Sequence, residues 1–334
     1  MNRALFLSLA LLATLLGHSQ PCVVSKSDGH PVVYAHVYDQ QGRLLGMTDT
    51  KGMLPAECVG AGKVWIGQPA FQPVEMEVGE QSKVELSPIA IPVLDTTTPP
   101  EGKDYLWMRT YWRSYVVGDE GIAAIDDGVT DCYYPLNSNK VKESEVWLRY
   151  RKMSPLPAGE KKLGFMTVAN GAAGAISPYE SFKKMTDEER QRFFERGIAC
   201  MNDNPKAGIL QLQTDGIKLL YDHTIPLMFT GMRILDMKIC DTFASQQEFA
   251  RSSMLSKQTS MCVRYKNKET NEKKQARVVC EVYYLDRGYL SKEERKAKMK
   301  TAEAEVAAYV VPADVPELPR PLQKPIESFE VKTY

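Results

Sequence analysis

Histidine is scarce in this chain: four occur in 334 residues, His18, His30, His36 and His223. No Cys-x-x-Cys pair or His-rich spacing accompanies them, so no zinc site is written into the sequence. Three catalytic signatures are missing as well. Without Gly-x-Ser-x-Gly there is no nucleophile elbow. Without His-Glu-x-x-His there is no zincin helix, and without Gly-x-x-x-x-Gly-Lys no phosphate cradle. Net charge is absent too, 42 Lys and Arg balancing 42 Asp and Glu. That balance removes the long-range field expected of a nucleic-acid binder, and Lys-rich stretches such as 292–300 read as solvated helix faces. After the first 17 residues no apolar run approaches the roughly 20 residues that cross a bilayer, so no transmembrane segment is expected in the mature chain. No motif calls for a cofactor or a metal.

What is present begins at the N-terminus. Arg3 is followed by an apolar and small-residue stretch from Ala4 to Gly17, then Gly17-His18-Ser19. This is the layout of a secretory signal peptide over residues 1–19, cut before Gln20. Export to the periplasm or cell envelope, or secretion, is the expectation. Cys22 is a poor lipid-attachment site, because Pro21 departs from the small-residue pattern before it. Export permits disulfides, and seven cysteines leave at least one thiol over. Cys22–Cys58 is the expected pair, tying the mature N-terminus to the first domain. Cys262 and Cys280 alternate to opposite faces of a hairpin, which keeps them apart.

Length predicts two domains. Over residues 20–94, Val32–Tyr38, Leu44–Thr48, Val64–Ile66, Val74–Val78 and Lys83–Leu86 read as short strands separated by turn residues. This is the spacing of a β-sandwich. Gly29-His30-Pro31-Val32-Val33-Tyr34-Ala35-His36-Val37, followed by Gly46-Met47-Thr48-Asp49-Thr50-Lys51-Gly52, resembles the carboxypeptidase regulatory-like domain. Leu54 and Pro69-Ala70-Phe71 depart from the aromatic and Gly-Tyr positions of that family. The resemblance implies a small transthyretin-like sandwich with a structural or adhesive role and no catalytic residues.

Residues 95–103 read as a linker, 104–310 as an α+β domain built on an antiparallel sheet, and 311–334 as a Pro-rich extended tail. Strands are expected at Tyr105–Val117, Ile122–Ile125, Val129–Tyr134 and Glu145–Lys152, with Asp126-Asp127-Gly128 as a hairpin corner between the second and third. Further strands are expected at Ile209–Leu212, Ile217–Tyr221, Met232–Ile239, Met261–Lys266 and Ala276–Leu285. Thr186-Asp187-Glu188-Glu189 and Ser291-Lys292-Glu293-Glu294 are capping boxes, opening helices to about Cys200 and Ala308. The run Tyr111-Trp112-Arg113-Ser114-Tyr115, with Asp127-Gly128-Val129 and Tyr133-Tyr134, resembles uncharacterised exported proteins of Gram-negative gut and mouth bacteria. That likeness implies architecture and compartment only. The fold class expected is therefore mainly β, α+β.

Few residues suggest chemistry. Asp126, Asp127 and Asp131 have the composition of a calcium site or an acid/base pair, but the turn reading accounts for them first. Gly171-Ala172-Ala173-Gly174 reads as a plain loop. One face stands out. Alternation along the first strand of the second domain puts Tyr105, Trp107, Arg109, Tyr111, Arg113 and Tyr115 on one side. Trp147, Arg149 and Arg151 alternate in the same way. Were these faces to coincide, an aromatic and arginine surface would suit a glycan or an envelope protein. The competing reading packs the C-terminal helix there, with the arginines snorkelling. The function expected is a non-enzymatic protein- or glycan-binding module of the envelope. A carrier of a hydrophobic ligand or lipoprotein is the alternative, and a hydrolase with an unrecognised site the second.

Overall fold

The computed structural model describes residues 21–334 except 80–82, 95–97, 139–141, 143, 156–176, 201–207, 214–217, 224–226, 230–231, 245–248, 267–270 and 306–310. The segment read as a signal peptide lies outside the described residues, as do Gly171–Gly174 and Thr214-Asp215-Gly216. The fold is mainly β with a few helices, and its large sheet is antiparallel throughout.

The first unit holds β1 (Cys22–Ser25), β2 (His36–Tyr38), β3 (Leu44–Met47), β4 (Lys63–Gln68), β5 (Phe71–Glu77) and β6 (Lys83–Leu86). β1 and β6 pair in parallel; the others form a four-stranded sheet in the order β3-β2-β4-β5. Val23, Val32, Val37, Val64, Ile66, Val84 and Leu86 fill the core between them. The strand expected from Val32 starts only at His36. Tyr34 lies in the left-handed region at φ 55°, where a bulky residue is strained, and Val33 and Tyr34 leave the ladder to pack on Leu220 and Cys240 of the second unit. The Cys22–Cys58 disulfide is not formed. Alternation along β1 gives the core side to Val23, so Cys22 faces out and donates to the Lys51 carbonyl, whereas Cys58 is buried in the core.

The second unit is one long sheet. Its strands are β7 (Tyr105–Gly118), β8 (Gly121–Pro135), β9 (Ser144–Ser154), β10 (Ile198–Cys200), β11 (Ile209–Leu212), β12 (Lys218–His223), β13 (Leu227–Phe229), β14 (Met232–Phe243), β15 (Met254–Lys266), β16 (Lys273–Leu290) and β17 (Glu330–Thr333). They run in the order β10-β11-β12-β14-β15-β16-β7-β8-β9-β17, with β13 on β14. Cys280 pairs with Thr259 and Cys262 with Arg277, so the two thiols do face opposite sides.

Three local readings are corrected by the structure. Asp126-Asp127-Gly128 is not a corner: β8 passes straight through it and joins the strands expected at Ile122–Ile125 and Val129–Tyr134 into one. The helix opened by Thr186 has its capping box but stops at Arg196, because Gly197 takes φ 70° and ends it in a left-handed cap. The Pro-rich tail is not extended throughout. It forms a helix at Arg320–Ile326, where the early proline needs no amide partner.

The helices are α1 (Pro178–Lys183), α2 (Asp187–Arg196), α3 (Lys292–Glu305) and α4 (Arg320–Ile326). Tyr179, Phe182 and Phe193 of α1 and α2 pack with Leu106, Met108, Leu219 and Tyr284 on one face of the sheet. The sandwich, α3 and the tail cover the other.

Candidate functional site

The covered face holds most of the residues that alternation singled out. Tyr105, Trp107, Tyr111 and Arg113 are buried there, and Arg109 is nearly so. They do not form a free surface, because the C-terminal helix lies on them. Arg295 of α3 sits over Tyr105 and Tyr133, and Lys298 over Trp107 at 4.1 Å. Arg109 forks onto Asp131 (2.8 and 2.9 Å) and reaches Glu305 of α3 at 3.0 Å. Arg113 donates to Glu281, to the Tyr283 hydroxyl (3.0 Å) and to the Pro316 carbonyl of the tail (2.7 Å). Tyr115 and Tyr283 also donate to Glu281, and Tyr38 of the sandwich meets Tyr115 at 3.0 Å. Asp127 accepts a fork from Arg151 and a bond from Tyr111 at 2.9 Å. Burial without loss of partners is what such groups require. This face is a joint.

The same joint contains a hydroxyl–imidazole contact. His36 Nε2 meets Ser260 Oγ at 2.9 Å, and Gln258 approaches Nδ1. Both His36 and Ser260 are sealed from solvent. Burial, helped by the nearby Arg277, pulls the His36 pKa down to about 3, so the ring stays neutral. An amide behind the ring and no access to substrate make this a structural bond, not a nucleophile and its base.

Trp147 goes elsewhere. Thr130 pairs with Trp147 and Val129 with Arg149, so Leu148 is an extra residue: a β-bulge. The bulge reverses the alternation. Leu148 is buried with Tyr111 and Val129 on the covered face, while Trp147 emerges on the opposite one. The expected union of Trp147 with Trp107 and Arg109 is therefore corrected, and Arg149 is held by the Leu148 carbonyl.

On that opposite face a row forms across four strands. Trp112 pairs with Gly128, and Gly128 with Tyr150; Tyr150 exchanges both backbone bonds with Tyr334 (2.9 and 3.2 Å). Trp147 fits edge-on between Trp112 (5.2 Å) and Tyr150 (5.7 Å), and Tyr150 stacks on Tyr334 at 4.7 Å. Gly128 is required. A Cβ there would lie 2.7 Å from the Tyr150 Cβ and 3.0 Å from the Trp112 ring. Lys152 hangs over Tyr150 and Tyr334. Beside it, across the ladder, is Asp126. Burial pushes the Asp126 carboxyl up to about 6, with Lys152 pulling it down and Asp127 pushing it up by less.

Sequence reasoning found Trp147 and weighed Asp126, but missed Trp112, Tyr150 and Tyr334 as members of a site. The signal was Gly128, a small residue between bulky neighbours in a strand of high β propensity. Among the described residues no group of three or more His, Cys, Asp or Glu could hold a metal ion, and no helix is long and apolar enough to cross a membrane. No protein-family model matches the chain, and no curated protein matches it either.

Proposed function

We propose that the chain is an exported cell-envelope module that binds a glycan on its aromatic row and carries out no catalysis. The supporting observation is exposure: Trp147 (51%) and Tyr334 (53%) remain half open on either side of Tyr150. Large aromatic groups left in solvent in a contiguous row mark a contact surface. Sugar rings present C–H faces that stack on such groups, and hydroxyls that bond flanking polar side chains. Lys152 supplies a donor beside the row. The signal-like residues 1–19 support export, and the likeness of the first unit to a regulatory-like sandwich fits an adhesive role. A hydrophobic carrier has less support, since the hollows at the seam between the two units are lined by polar as well as apolar side chains.

Affinity electrophoresis of the full mature chain through gels containing soluble peptidoglycan fragments or envelope polysaccharides tests this. Retardation by one of these glycans is expected, weakened about tenfold by Trp147→Ala or Tyr150→Ala, the loss of one stacked ring. Free migration through every glycan, or equal retardation of Trp147→Ala, would overturn the reading.

A further inference from the structure

A cleft of about 570 Å³ opens where the sandwich leaves the covered face of the sheet. Its walls come from both units: Tyr34, Asp49 and Glu57 on one side, Asp222, Lys238 and Arg277 on the other. That volume falls within the range of small-molecule sites, which favour domain seams. We propose that this cleft binds a compact organic amine, held by Asp222, Asp49 and the Tyr34 hydroxyl. The site lies on the opposite side of the sheet from the aromatic row and does not depend on the glycan reading.

The inventory of donors and acceptors points to a cation. The positive groups are engaged. Arg277 forks onto Asp236 (2.8 and 3.0 Å) and reaches Ser260. Lys238 bonds Asp222 Oδ2 and lies over the Tyr34 ring at 5.1 Å. The acceptors are not used up. None of the described residues bonds Asp222 Oδ1, and unmet acceptors of this kind call for an explanation. Asp49 spends one oxygen, Oδ1, on the amides of Lys51 and Met53. Glu57 stands exposed at the rim. Tyr34 is 3% exposed, lines the cleft, and none of the described residues bonds its hydroxyl. Carboxylates thus outnumber cations around a space whose free capacity is to accept hydrogen bonds.

Tyr34 adds an independent sign. Its backbone is held in the left-handed region by Gln258, which donates to its carbonyl at 2.7 Å, and by its own amide on the Thr48 carbonyl. Such strain at a non-glycine residue is concentrated at ligand clamps. Here it turns the phenol into the cleft wall.

Protonated amines of this size occur as linear polyamines and as amino sugars, and calorimetry separates the two. The full mature chain is titrated with spermidine, with glucosamine, and with N-acetylglucosamine as the uncharged arm. Saturable one-to-one binding of spermidine or glucosamine is expected, the responding arm naming the source, with N-acetylglucosamine at least tenfold weaker. Tyr34→Phe should weaken binding several-fold and leave the melting temperature of the free protein unchanged, because the hydroxyl it removes bonds none of the described residues. Asp222→Asn should weaken it tenfold or more. No saturable heat with either amine, equal binding of N-acetylglucosamine, or unchanged affinity in both variants would overturn the proposal.

Discussion

The two faces of the large sheet are both largely buried, but they are buried by different chemistry. One carries Arg109, Arg113, Asp127, Asp131 and Glu281, and it is the face that the sandwich, α3 and the tail seal. The other carries Val116, Met237, Ile239, Met261 and Val278 along much of its length, yet it leaves Trp147 half exposed at its β9 end. Polarity therefore does not divide the two faces into a buried and an exposed one. An arginine bound by carboxylate, phenol and carbonyl at once can be buried, and what it gains is a joint of fixed geometry between parts of the chain far apart in sequence.

Substitutions on matched residues sharpen this contrast. The largest effect is expected at Arg113. Arg113→Ala strands Glu281 without its cation and should cost about 3–5 kcal/mol in denaturant unfolding; a joint Arg113→Met, Glu281→Leu change should recover most of it. A small loss in Arg113→Ala alone would mean the covered face is wet. The two tryptophans come next. Trp107→Ala removes a buried ring and should cost about 3–5 kcal/mol, whereas Trp147→Ala, on the open side, should cost about 1 kcal/mol or less. Equal costs would erase the distinction between the faces.

Acid distinguishes the faces as well. The folded Asp126 carboxyl, raised to about 6 by burial, holds a proton more tightly than the unfolded chain does. Its contribution is unfavourable at pH 7, and it improves as pH falls through 6. Asp126→Asn should stabilise the protein by about 1–3 kcal/mol at pH 7, and the advantage over the unmodified chain should shrink toward pH 4. His36 works the other way. Its folded pKa is depressed to about 3, so its stabilisation is full above the unfolded value of about 6.5 and is lost as pH falls below it. Going from pH 7 to 5 should cost about 2 kcal/mol at the joint, and His36→Gln should remove that dependence. Unfolding curves of the two variants against pH separate the terms.

Much of the scaffold was legible in the sequence, because its signals are local. β7, β15 and β16 show their alternation, and the boxes at Thr186 and Ser291 cap helices through bonds spanning three residues. The site was less legible because its determinants are distant. Asp-Gly reads as a corner until Arg151 and Tyr111 hold Asp127 within a strand. Alternation along β9 is sound up to Trp147 and fails at Leu148, and nothing in Trp-Leu-Arg announces a bulge. Tyr334, far along the chain, joins the row only through its pairing with Tyr150.

The order of strands in the sheet also governs how the protein is made. β7–β8–β9 and β10 through β16 are two meanders, each assembled mainly from neighbours in sequence, and a single seam joins them where β7 lies against β16. Residues at that seam, such as Trp112 and Val282, are separated by well over a hundred positions, so closing it carries a large loop-closure cost. Until it closes, strands of 14 and 18 residues present unpaired backbone edges to other chains. The loop-closure cost and the aggregation hazard coincide at this ladder, and a holdase that shields it would guard both.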